Sequence, residues 1–132
     1  MENKRKHLEF LQNVITRMNS NSFLIKGWSI TLVSALFALA AKDANVNYVL
    51  VSYIAIPVFW ILDGFYISQE RQYRDLYAEV AAKDEEAIDF NMDASKFNTG
   101  DRNWIAGIFS STLNWFYGVS VATTLSVMFL IK

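Results

Sequence analysis

Apolar positions in this chain change period and density along its length. Leu8, Leu11, Val14, Ile15 and Met18 recur three and four residues apart, which predicts an amphipathic helix over residues 3–18. The run Asn19-Ser20-Asn21-Ser22 interrupts that pattern. Ser20 or Ser22 there has the short side-chain oxygen that caps first-turn amides, so a second helix is expected to begin after them. Phe23 to Ala41 is apolar almost throughout, and its 19 residues cover about 28 Å as a helix, close to a bilayer core. A polar turn at residues 42–47 leads into a second apolar stretch, Tyr48 to Ile67. Pro57 removes one backbone donor within it and is expected to bend the helix near Tyr53.

The helical period outlasts the apolar stretch. Tyr73, Leu76, Tyr77 and Val80 continue at i, i+3, i+4 and i+7, while Arg71, Arg74, Asp75 and Glu79 fill the other faces. One helix is therefore expected from Tyr48 to about Lys83. Asp84-Glu85-Glu86 and residues 89–100 form an acidic connector of little periodicity, after which Asp101 is placed to cap a third helix, Trp104 to Ile131. That helix is longer than one span needs, so Trp104 to Phe109 is expected at the interface or on a tilted approach.

These elements predict an all-α membrane protein. An amphipathic cytoplasmic N-terminal helix (1–22) precedes a transmembrane hairpin (23–67), a cytoplasmic extension with its connector (68–103) and a third transmembrane helix (104–132). The basic stretch at the N-terminus leads into an amphipathic run and not a short apolar core, which argues against a cleavable signal peptide. Basic residues set the orientation. Lys4, Arg5, Lys6, Arg17, Arg71, Arg74, Lys83, Lys96 and Arg102 fall on one side, against Lys42 and Lys132 on the other. The N-terminus is thus expected in the cytoplasm of a bacterial cell, with the inner membrane crossed and the C-terminus outward.

Composition narrows the function. The 132 residues suit one domain, 53% of them are hydrophobic, and cysteine is absent, which excludes disulfides and thiolate metal sites. His7 is the sole histidine, and no phosphate loop, HExxH or Ser/His constellation occurs. We assign no catalytic residue, no metal ligand and no cofactor. A net charge of −1 gives no global basic signal, so any anionic ligand has to rest on local placement.

Two charges fall inside the apolar stretches. Counted from Asn45, Lys26 lies 19 residues back and Asp63 lies 18 residues on, which puts them at one depth in a hairpin. Either Lys26 snorkels to nearby headgroups, or the two form a buried pair that fixes the hairpin or a subunit register. Trp28 and Trp60 match in depth by the same count. In the third span Ser111, Asn114, Gly118 and Thr123 stand out among many small polar residues. They suit helix packing within one protomer, packing between protomers, or a pore lining. Lys4, Arg5 and Lys6 suit anionic lipid headgroups. Together with Arg17, Arg71, Arg74, Lys96, Phe97 and Arg102 they also supply the cations and aromatic faces of a single-stranded nucleic-acid or nucleotide site. The competing explanation is ordinary surface pairing, such as Arg71 with Asp75.

The segment KRKHLEFLQNVITRMNSNSFLIKGWSITLVSALFALAAKD, the Pro57/Asp63 span and the extension QERQYRDLY resemble the small membrane effectors of bacterial antiphage operons, most closely those of the Hailong type. The resemblance implies a channel-like homo-oligomer, most simply a tetramer. A short single-stranded DNA or nucleotide oligomer made by a partner nucleotidyltransferase would hold it inactive, and its release would disrupt the membrane and abort infection. The alternative is a non-catalytic membrane scaffold that recruits a soluble partner through residues 68–103.

Overall fold

The computed structural model describes residues 2–43 and 45–131, and it is all-helical, with no strand among them. Helix α1 (Glu2–Asp43) and helix α2 (Asn47–Ala81) form an antiparallel hairpin. Three short 3-10 turns, Glu85–Ala87, Ser95–Phe97 and Gly100–Arg102, punctuate the connector. Helix α3 (Trp104–Ile108) and helix α4 (Ser111–Ile131) complete the chain. Among the described residues three helices, α1, α2 and α4, are long and apolar enough to cross a membrane.

Helix α1 is continuous, so the expected break at Asn19–Ser22 is corrected. Asn and Ser each cost only a few tenths of a kcal/mol in a helix interior, which packing readily overrides. The buried face of α1 runs through His7, Leu11, Ile15, Ser22, Ser29, Val33 and Ala40. Ser22 belongs to that face and acts as a core hydroxyl, not as a cap. Continuity also fixes where the first half of α1 goes. Leu11 is buried with Leu76, Val80 and Ala94, and Leu8, Tyr73, Tyr77, Ile88, Met92 and Phe97 pack around them. The amphipathic face thus lies on the stripe of α2, forming a stalk beyond the apolar part of the hairpin.

The connector closes over the end of the stalk. The Glu85 carboxylate accepts from the Asn3 and Lys4 amides at 2.9 and 3.1 Å, satisfying two free donors at the start of α1. Tyr73 Oη donates to Met92 O at 2.9 Å. Asp89, Asn91 and Asp93 each accept the amide two residues on, at 2.9–3.1 Å, so this polar run is turned upon itself.

The third helix is not one element. It breaks at Phe109–Ser110, where Asn114 Nδ2 donates to Phe109 O at 2.9 Å and satisfies a carbonyl freed by the break. The side chain of Asp101 lies outside the described residues, as do Ala44 and Lys132. The cap of α3 is Asn103, whose Oδ1 accepts from Ala106 N at 2.7 Å. Asn103→Ala is expected to cost about 1 kcal/mol, the usual worth of such a cap, measured as a lowered Tm in detergent.

Candidate functional site

A second cluster, Val33, Ile56, Leu113 and Tyr117, joins α1, α2 and α4. Just beyond it lies a buried polar cluster centred on Asp63. Asp63 is fully buried, and its carboxylate accepts three hydrogen bonds from two other helices. Lys26 Nζ lies 2.7 Å from Oδ2, Tyr117 Oη donates to Oδ2 at 3.0 Å, and the Ser22 hydroxyl donates to Oδ1. Lys26 also donates to Ser22 Oγ at 2.8 Å and stands over the Phe116 ring, 5.9 Å from its centre. The four side chains thus compensate the charge, and each polar atom serves the next. In an apolar surrounding this arrangement is far cheaper than either charge alone.

The knot reaches α3 as well. Tyr117 stacks on Trp60, with ring centres 5.6 Å apart at 13°, and Trp60 Nε1 donates to Ile108 O at 2.7 Å. Reciprocally, Trp104 Nε1 donates to Ile61 O at 2.9 Å. Between these two indole bonds Gly64 and Gly107 bring the α2 and α3 backbones together. A Cβ at either position would fall inside 3.0 Å of the other helix. Lower on α2, Ser68 Oγ and Gln72 Nε2 donate to Arg102 O at 2.6 and 2.9 Å, anchoring the approach to α3.

The other residues singled out in the sequence are not gathered into one site. Arg74 lies 2.8 Å from Glu70, Lys96 lies 2.6 Å from Glu79 and 5.2 Å from the centre of the Phe97 ring, and Arg102 lies 2.9 Å from Asp75. Lys96 and Arg102 bind the connector to the stalk, whereas the Arg74–Glu70 pair lies within α2. Asp75, expected to pair with Arg71, takes Arg102; Arg71 is half-buried on α2. At the tip, Arg5 and Lys6 lie 3.9 and 4.0 Å from Glu2 and Glu9 in loose, exposed pairs; Lys4 is beside them, and Arg17 is exposed further down α1. Because α1 is unbroken, Arg5 stands about 30 Å along the axis from Lys26.

On α4, Ser111 and Thr123 are exposed, Gly118 faces open space, and Asn114 is occupied at the break. They line no common lumen within the protomer. Ser120, Thr124 and Ser126 donate to carbonyls four residues back, so much of the polarity of α4 is satisfied internally. A groove of about 640 Å³ runs between α1 and α4, with Ser29, Ser34, Phe37, Thr112, Trp115 and Thr123 among its walls. No group of three or more acidic, His or Cys residues is disposed to hold a metal among the described residues.

Sequence reasoning missed Ser22 and Tyr117. The available signal for Tyr117 was its phenol in an apolar helix, which requires an acceptor when buried. No family model, curated protein or solved structure matched this chain.

Proposed function

We propose that this chain is a non-catalytic effector whose three apolar helices cross a bacterial inner membrane. The stalk and connector would lie in the cytoplasm and the C-terminus outward, in line with the bias of basic residues. The observation that carries the reading is the buried Ser22–Lys26–Asp63–Tyr117 knot. Ionisable groups inside membrane-length helices are costly and are kept for a role. Here the pair stands where the stalk meets the apolar hairpin. Helices α1 and α2 run unbroken through that junction, so a change in stalk packing bears directly on the contact of Asp63 with α4.

In this reading the stalk is the input, the knot is the latch and α4 is the element released. Copies assemble into a homo-oligomer, most simply a tetramer, through exposed small polar positions such as Ser111 and Thr123. A single-stranded DNA or nucleotide oligomer from a partner nucleotidyltransferase holds the closed state, and its loss opens an ion-conducting path that aborts phage growth. The binding surface is narrower than the sequence suggested. Arg74, Lys96 and Arg102 are committed to carboxylates, which leaves Lys4, Arg5 and Lys6 at the tip, with Arg17, as the cations best placed for an anionic strand.

The test is expression in cells carrying a membrane-potential dye. Depolarisation is expected when the chain is made alone, with suppression when the nucleotidyltransferase is co-expressed. Absence of depolarisation in both states would overturn the effector reading. The scaffold alternative draws on the connector, whose folding against the stalk makes residues 68–103 a shaped surface. Under that alternative Lys26→Ala would leave partner capture intact and change no conductance.

A further inference from the structure

His7 is the only histidine of the chain, it is fully buried, and the knot makes no use of it. It sits on α1 beneath the connector, with Nε2 2.8 Å from Asn91 O. A carbonyl oxygen only accepts, so Nε2 carries the hydrogen. In the neutral ring Nδ1 is then a bare lone pair, and that atom is buried without a partner. The ring packs on Phe90, 5.5 Å between centres, and Phe90 is held at φ 55°, a conformation that side chains other than glycine adopt rarely. A proton at Nδ1 would place a second donor and a charge where no acceptor waits.

We propose that His7 is a proton-operated pin. When neutral it fastens residues 84–98 over the Leu11–Leu76–Val80–Ala94 cluster, and when protonated it releases them. A proton on His7 would be tolerated with the connector lifted and left without an acceptor with it closed, so linkage requires closure to weaken as pH falls. The charged residues on the surrounding segments are Glu2, Lys4, Arg5, Lys6 and Glu9 on α1, Lys83 just after α2, and Asp84, Glu85, Glu86, Asp89, Asp93 and Lys96 on the connector, and of these Asp89 interacts electrostatically with the ring. Asp89 accepts the Asn91 amide at 3.1 Å and faces Lys83 at 3.7 Å. The Asn91 amide holds its carboxyl below the usual carboxylate range, as Ser95 does for Asp93. Neither therefore changes charge between pH 7.5 and about 5, the interval that brackets ordinary imidazole titration near ~6.5.

Amide hydrogen exchange on the full chain in detergent tests the pin. Protection factors of residues 88–95 should fall about tenfold or more between pH 7.5 and about 5, because a proton on the buried ring would have no acceptor at Nδ1. His7→Gln keeps an amide donor and cannot titrate, so its protection should be independent of pH; His7→Asn serves as a second non-titrating variant. A flat wild-type profile would overturn the proposal, as would a rising one, in which Asp89 acts as counter-ion to a protonated ring. The same fall in both variants would overturn it too. Should both variants stay open at every pH, NMR of the single imidazole in the wild type decides, since a ring that gains its proton while residues 88–95 stay protected would overturn the proposal.

Discussion

Asp63→Ala should destabilise the protein by about 3–5 kcal/mol, the cost of leaving a buried charge without its partner. The substitution removes the acceptor of Lys26, Ser22 and Tyr117 together, so it strikes three helices in one step. Lys26→Met should cost less. Asp63 keeps two hydroxyl donors when its cation is gone. The double variant Lys26→Met/Asp63→Ala holds no charge at the site, so it should be more stable than Asp63→Ala alone. Unfolding by denaturing detergent, followed by the helical signal, measures all three. Additive losses would mean that the two side chains do not act as a pair. In cells, the single variants should shift the depolarisation threshold of the proposed effector, because they weaken the contact between the hairpin and α4.

That pair was legible in the sequence because a hairpin has a built-in ruler. Counting from one turn places Lys26 and Asp63 at equal depth whatever else surrounds them. No comparable ruler exists for α4. Its register depends on the break at Phe109–Ser110, which in turn depends on how closely Gly107 lets α3 lie against α2. Tyr117 was therefore invisible as the third ligand of Asp63. The failure at Asn19–Ser22 has a different cause. Four weak helix formers in a row read as an interruption when only local preference is weighed, yet Ser22 continues the buried face set by Leu11 and Ile15. The same residue type that signals a cap supplied the hydroxyl that Asp63 needs. Charge patterning was incomplete for a third reason: Arg74 and Glu70 are helix neighbours that the sequence already allows to pair, but Glu79 and Asp75 reach Lys96 and Arg102 only after folding.

Gly107→Ala and Gly64→Ala should each cost about 1–3 kcal/mol, toward the upper end of what overpacking exacts. The reason is what a new Cβ would meet. At Gly107 it runs into the Gly64 carbonyl oxygen, and at Gly64 into the backbone N and Cα of Ile108. Ile108 Cγ1 also crowds the Gly64 position, but both new Cβ atoms meet backbone that a rotamer change cannot move, so α3 as a whole has to withdraw. It cannot do so without stretching the bonds from Trp60 Nε1 to Ile108 O and from Trp104 Nε1 to Ile61 O, which flank the contact on both sides. Withdrawal also moves Trp60 relative to Tyr117, and thus loosens the knot from a distance. Two glycines elsewhere supply the control. A Cβ at Gly27 or Gly118 meets nothing within 4 Å, and both lie inside long helices. Alanine there should stabilise by about 0.8–1 kcal/mol through helix propensity alone. Thermal unfolding of the four variants in one detergent gives the comparison directly. If Gly107→Ala is tolerated as well as Gly118→Ala, then α3 is not clamped to α2, and the route by which α3 supports the Asp63 site is lost.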